Sequence, residues 1–347
     1  MSKWDFFSHT DLASFNIVDF SYTQEREAKS YTQFKEWVDE GKHQPLGYLE
    51  GERGEIRKNV ASMFPHFQSA IVFLFDYSSI KRELENFYHT DESNGLKISS
   101  YALGFEGLDY HHKIKESLDL IGEGLKKQYS PSLNYTFALD VHPVLERDLA
   151  HRSGLGFFGK NSMLINRHHG SFFIIGTLLL DQKLEGPEDF FDKKVSIERD
   201  HCGSCTRCID HCPTDAIVEG KRNIIAEKCI STFTIELFKM EKEPPPGFEK
   251  ANSEIFGCDI CQDVCPWNLR LTRELKKNDQ LEPPQLFKYP MAQKIIDFFL
   301  KRPVIDIKQD LENTSQRQYR KFFKGTALER TGKNGMLKNI LSLKERS

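Results

Sequence analysis

The sequence predicts an α+β protein: an N-terminal α/β domain, a cysteine-rich module and a short helical C-terminal segment. Three observations lead there. In the first half, short apolar runs alternate with segments of helical periodicity. All eight cysteines then fall between positions 202 and 265. Beyond them the chain turns polar and basic, with twelve Lys/Arg against five Asp/Glu from Lys301 to Ser347. The expected boundaries are 1–190, 191–275 and 276–347.

A chain of 347 residues is long enough for about two domains, and 39% apolar content supplies a sizeable core. No run approaches the ~18 apolar residues that span a bilayer, so no membrane partner is expected. MSKWDFFSHT lacks the basic start and apolar stretch of a signal peptide, which points to a cytoplasmic protein. In the cytosol structural disulfides are disfavoured, so clustered cysteines read as metal ligands. A net charge of −3 argues against a generic nucleic-acid binder. The basic end still suggests a local anionic partner, although a solvated helical face gives the same charge.

Residues 1–60 read as mostly helical, with a bend at Gly47 and Gly51. SAIVFLFDY (69–77) is apolar, β-branched and aromatic, hence a buried strand. Ile114, Leu118, Ile121 and Leu125 recur at helical spacing and predict a helix over 109–128. NYTFALD (134–140) is a second strand, and Pro143 opens a helical segment, VLERDLAHRSGL. SMLIN (162–166) and SFFIIGTLLLD (171–181) flank RHHG and read as a hairpin turning at Gly170. EGPEDFFDKK (185–194) is a polar connection, and EKEPPPGFEK (241–250) is an irregular Pro-rich loop between the cysteine runs. The C-terminal segment reads as polar and mainly helical.

The run HCGSCTRCIDHCPTDAI (201–217) has the spacing C-x2-C-x2-C-x3-C-P, in which three thiolates wrap one iron–sulfur cubane and the fourth ligates its neighbour. GCDICQDVCPWN (257–268) is a shorter copy. By the same crossover, Cys265 before Pro266 joins Cys202, Cys205 and Cys208 around a first [4Fe-4S] cluster. Cys212, Cys258 and Cys261 then lack one ligand, and Cys229 in AEKCISTFTIEL completes the second. Zinc ribbons also use CxxC pairs, but two runs each ending in Cys-Pro favour iron–sulfur. The module is therefore expected to be a bacterial two-cluster, ferredoxin-like wire for single electrons.

The acceptor is not announced by a dinucleotide motif. GLGFFGK (154–160) follows a helical segment instead of a strand, so its glycines serve close approach to a flat ligand or a turn. DVHPVL (140–145) lacks the glycine of the cobalamin pattern D-x-H-x-x-G, which disfavours a histidine ligand to cobalt. Asp140 ends a strand and reads either as a helix cap or as a proton donor.

These residues together resemble the epoxyqueuosine reductase family. The resemblance is carried by YLEGERGEIRKN (48–59), LDYHHKI (108–114), ALDVHPVLERDLAHRSGLGFFGKNSMLI (138–165), CISTFTIEL and the two cysteine runs. It implies a nitroreductase-like α/β domain binding base-off cobalamin, with no protein histidine on cobalt. It implies electrons passing from an external low-potential donor through both clusters to give Co(I), and removal of the epoxide oxygen with Asp140 as proton donor. The implied substrate is tRNA (Tyr, His, Asn and Asp acceptors) carrying epoxyqueuosine in the anticodon. Implied cobalamin contacts are Arg57, Ser100 or its neighbour Tyr101, Asp140, Leu164, Ile175, Ser231 and Asp259. Implied tRNA contacts are Arg330, Lys333, Lys338 and Asn339, which give the basic end a meaning. ALGFEGL (102–108) is longer than the family's link at that point, and the helical repeats of longer members are absent. Lys160 and Asn161 are conspicuous without an assigned role, and a monomer is expected. Two other readings share the cysteine pattern: a cobalamin-dependent reductive dehalogenase and an iron–sulfur electron-carrier subunit.

Overall fold

A computed structural model describes residues 12–184, 201–238, 242–251, 253–271 and 285–343. The MSKWDFFSHT start and the EGPEDFFDKK connection lie outside the described residues. In chain order the first elements are β1 (Ile17–Thr23), α1 (Tyr31–Asp39), α2 (Gly51–Ile56), β2 (Ser69–Asp76), α3 (Ser78–Tyr88) and β3 (Lys97–Ile98). Next come α4 (Tyr110–Gln128), β4 (Tyr135–Ala138), α5 (Glu146–Arg152), β5 (Phe157–Phe158), β6 (Leu164–Ile165) and β7 (Phe173–Leu180). The cysteine region holds α6 (Arg207–Asp210), β8 (Ile217–Val218), β9 (Asn223–Ile224), a π-helix (Thr232–Glu236), α7 (Phe248–Ala251), β10 (Glu254–Phe256) and α8 (Ile260–Asp263). Four helices follow: α9 (Pro290–Phe299), α10 (Val304–Asn313), α11 (Gln316–Phe322) and α12 (Leu328–Leu341). Among the described residues no helix is long and apolar enough to cross a membrane.

The chain divides into two compact units, one from Met1–Asp76 with His111–Cys205, the other from Tyr77–Tyr110 with Thr206–Ser347. The first is built on a sheet of order β1-β2-β7-β4 whose pairings are all antiparallel. β2 reads as a continuous apolar run because both its faces are buried; Ala70 to Leu74 have no exposed surface. The apolar stripe of α4 is buried as its spacing predicts.

Two sequence expectations are corrected here. Residues 12–60 are not mostly helical: Ile17–Thr23 forms an edge strand paired with β2. Asp19 and Ser21 sit in that strand among Ile17, Val18, Phe20 and Tyr22, a pattern that suits an edge better than a helix. SMLIN and SFFIIGTLLLD do not form a ladder with each other. β6 pairs with β5, β7 enters the main sheet, and only an Asn166–Gly170 bridge closes the RHHG turn. The alternation of strands and helices in the first half gives a mixed unit, as expected, and its four-stranded sheet is antiparallel.

The second unit hides a core under its polar helices, which corrects the polar reading of that segment. Leu84, Phe87, Ile98 and Leu103 pack in one cluster with Ile295, Phe299, Tyr319, Phe323 and Met336. The rings of Phe299 and Phe323 stack 5.3 Å apart. The amphipathic spacing places these apolar residues on inner faces and leaves the charges outside. β3 and β10 pair in parallel within the same unit. At Gly107, φ is +76°, and a Cβ would stand 2.3 Å from the Ala292 amide nitrogen of α9. Gly107→Ala is expected to destabilise this unit by about 1–3 kcal/mol, read as a lower denaturation midpoint.

Candidate functional site

The first unit brings the proton-donor candidate to a strand end. β4 stops at Ala138, and Asp140 takes a left-handed backbone conformation with φ 43°, which aspartate tolerates better than most residues. α5 starts only at Glu146, with Leu145 at its N-cap position, so Asp140 is not the cap of that helix. Its side chain is exposed, and His111 Nε2 lies 3.7 Å from one carboxylate oxygen. Arg53 donates to the Val141 carbonyl at 2.5 Å and holds the turn. Arg57, buried, donates to the Arg53 carbonyl at 2.9 Å. Burial, then the neighbouring Arg53 charge, lowers the Arg57 pKa from its usual value. Glu146 lies behind this group: its Oε1 is shielded from solvent and lacks a hydrogen-bond partner. Burial, then the charge of Asp140, raises its carboxyl well above the usual range. His142 is tied into the turn, its Nδ1 accepting from the Leu139 amide at 3.1 Å and its ring edge-on to Phe137.

Arg57 and Asp140 therefore lie in one electrostatic neighbourhood. Leu164 and Ile175 share a core cluster, Leu164 buried within it and Ile175 packed against it. The glycines of GLGFFGK serve the local fold. A Cβ on Gly156 would meet the Ile165 carbonyl at 2.5 Å, so this glycine lets β5 and β6 close on each other. Lys160 donates to the Gly203 carbonyl at 2.8 Å and the Cys205 carbonyl at 3.0 Å, holding the loop that carries Cys202 and Cys205. Asn161 is buried and accepts from the Met163 amide at 3.3 Å.

In the second unit, Cys212, Cys229, Cys258 and Cys261 lie in segments that fold together, and none is in a disulfide. Cys229 sits between a 3-10 turn and the π-helix; its amide donates to the Ala226 carbonyl at 3.1 Å. Burial, then proximity to Cys229 and Cys212, pushes the Cys261 thiol well above its usual pKa. Burial and then Cys261 do the same to Cys258. Half-buried thiols crowded in this way suit a group that binds them as thiolates, so the donor set fits an iron–sulfur cluster. The Ala216 amide points at Cys212 Sγ from 3.3 Å, a hydrogen bond of the kind that tunes such clusters. Of the other four cysteines, Cys202 and Cys205 belong to the first unit, and Cys208 and Cys265 to the second.

Asp259, between Cys258 and α8, is closed on its own unit. The Ser100 amide and hydroxyl donate to one carboxylate oxygen at 2.9 and 2.7 Å, and the Ser99 hydroxyl donates to the other. Burial favours protonation of Asp259, but Lys81 and these donors outweigh it and hold the pKa below the ordinary range. The structure thus joins Ser100 to Asp259 directly, while Tyr101 packs beside Tyr110 and Phe256 and Ser231 is half-buried at the start of the π-helix.

The basic end divides. Arg330 is exposed and pairs with Glu236 at 2.5 Å; Lys333 donates to the Glu312 carbonyl at 3.1 Å. Lys338 and Asn339, the other two expected nucleic-acid contacts, are both buried and bonded inside the fold. Lys338 donates to the Phe233 and Leu237 carbonyls at 2.6 Å, and burial lowers its pKa to about 7. Asn339 donates to the Thr234 and Ile255 carbonyls at 2.8 Å. The two residues anchor the π-helix from α12. Arg317, Arg320, Lys321 and Lys324 are exposed instead. Their charge is visible in RQYRKFFKG, but which positions face outward depends on the burial of Tyr319 and Phe323.

Comparison with known proteins adds to this geometry. Residues 57–141 match the family model described as epoxyqueuosine reductase QueG, DUF1730, and residues 201–268 match the 4Fe-4S double cluster binding domain. A curated epoxyqueuosine reductase of Cyclobacterium marinum is 34% identical over 331 residues, 93% of this chain and 90% of its own. The solved epoxyqueuosine reductase of Streptococcus thermophilus superposes with a TM-score of 0.74 at 22% identity, over 98% of this chain and 80% of that one. A further epoxyqueuosine reductase, solved with an epoxyqueuosine-modified tRNA-Tyr stem loop, gives a TM-score of 0.68 at 22% identity over the same shares.

Proposed function

The chain belongs to the epoxyqueuosine reductase family, and from that premise we propose that it reduces epoxyqueuosine to queuosine in the anticodon of tRNA. The observation that carries this reading is the near-complete correspondence with a curated reductase, 93% of one chain on 90% of the other. The reaction takes two electrons and two protons, opens the epoxide, leaves a carbon–carbon double bond and releases the oxygen as water.

Cys202, Cys205, Cys208 and Cys265 would hold one cluster, and Cys212, Cys229, Cys258 and Cys261 the other. Together the clusters would supply one-electron transfer from an external low-potential donor. Cobalamin, bound base-off, would supply a strongly reducing cobalt centre. No histidine ligand to it is proposed, since DVHPVL (140–145) lacks the glycine of the D-x-H-x-x-G pattern. Asp140, Ile175, Tyr101 and Ser231 are the chain's own candidates to touch the corrin; Arg57, Leu164, Ser100 and Asp259 would act from buried positions. Asp140, exposed on its turn with His111 3.7 Å away, would give a proton to the departing oxygen. Protein and substrate meet in the cytoplasm, with the chain a monomer.

The tRNA backbone would meet Arg330, Lys333 and the exposed lysines and arginines of α11. Arg330→Glu combined with Lys321→Glu is expected to weaken binding of an anticodon stem loop at least tenfold at low salt. The loss should shrink as salt rises, because each lost contact reduces counterion release. Fluorescence anisotropy across a salt series checks it. The proposed activity itself is tested with reduced protein and epoxyqueuosine-containing tRNA, by mass analysis of the released nucleosides. Conversion to queuosine is expected. Failure of cluster- and cobalamin-loaded protein to convert it overturns the assignment.

A further inference from the structure

Lys81 lies in α3, far in sequence from either cysteine run, yet it is only 6% exposed. Its ammonium is 2.7 Å from Asp263, 3.5 Å from Asp259 and 2.7 Å from Glu85. Asp259 directly follows Cys258, and Asp263 lies midway between Cys261 and Cys265. One buried cation therefore grips both ends of α8, the short helix that carries Cys261 between two other ligands. Three carboxylates around one ammonium leave the neighbourhood net negative. The loop bearing Cys202 and Cys205 is held differently, by a lysine that donates to main-chain carbonyls.

We propose that Lys81 is a positioning residue that orients the Cys258–Cys265 loop and, through the charge balance it sets with Asp259 and Asp263, fixes the reduction potential of the cluster held by Cys258 and Cys261. A cluster gains an electron on reduction, so a nearby positive charge raises its midpoint and a nearby carboxylate lowers it. The interior position matters, since a buried charge is screened far less than one in solvent.

The proposal rests on the two-cluster assignment above and not on the identity of the substrate. The test is a potentiometric titration of the reconstituted protein followed by electron paramagnetic resonance, with iron and sulfide measured on the same samples. Lys81→Met is expected to lower the midpoint of the cluster held by Cys258 and Cys261 more than that of the other, while Lys81→Arg keeps both. Asp263→Asn is expected to shift the same midpoint upward. Full iron and sulfide with wild-type midpoints in both Lys81→Met and Asp263→Asn would overturn the proposal. If Lys81→Met fails to hold its clusters, Asp263→Asn alone decides: an upward shift supports the charge balance, and an unmoved midpoint overturns it. Failure of the unaltered protein to bind two clusters would instead strike the assignment beneath it.

Discussion

Asp140→Ala is expected to lower turnover on epoxyqueuosine-containing tRNA by roughly 10²–10⁴, with iron content and tRNA affinity unchanged. The argument starts from the turn. Asp140 stands exposed on a left-handed residue, where its carboxyl is free of any helix-capping duty. Removing it should cost the fold little and a proton transfer much. Asp140→Asn is the sharper variant, since it keeps the size and the hydrogen-bonding reach while losing the acid. Single-turnover rates with prereduced protein isolate the chemical step from electron supply. A variant as fast as the parent in that assay removes Asp140 from the proton path. Glu146 is the control beside it: burial and then Asp140 raise its carboxyl well above the usual range, so Glu146→Gln should preserve local packing.

The second large effect is expected at Cys229. It is the one proposed ligand outside the two cysteine runs, and the backbone around it is specialised for its position. A 3-10 turn delivers the residue, and a π-helix, a form seen mostly at functional sites, leads away from it. Lys338 and Asn339 pin that π-helix through the Phe233 and Thr234 carbonyls, and also bond the Leu237 and Ile255 carbonyls beside it. Cys229→Ser is therefore expected to reduce iron from about eight to about four per chain, as one of two cubanes is lost. Substrate turnover should fall below detection while the fold persists. Iron and sulfide analysis together with circular dichroism check both halves. Retention of the full iron complement would give the fourth ligand to some other group.

Much of this was legible before any coordinates. The cysteine spacing carried the two-cluster reading because ligand geometry fixes spacing within a loop, and the family match to residues 201–268 agrees with it. β2 and α4 were legible because burial on both faces, or along one stripe, leaves an unmistakable period. β1 was not, since an edge strand may carry polar residues on its open side and lose the pattern. The burial of Lys338 and Asn339 was hidden for a related reason. A lysine in a basic tail looks solvated unless the carbonyls it serves are known, and those belong to residues about a hundred positions earlier. Lys81 left no local signal at all. Its meaning comes from Asp259 and Asp263, which the fold brings to it from the far end of the sequence.

The discontinuous make-up of the second unit has a practical corollary. A cassette excised from Thr206 onward would carry six of the eight cysteines but leave behind α3 and the Ser99–Ser100 turn. Asp259 would lose its hydroxyl donors, and Leu84 and Phe87 would be missing from the hydrophobic interior. Such a cassette is expected to fold less stably than an ordinary ferredoxin, because part of its interior is encoded ahead of the cysteine runs.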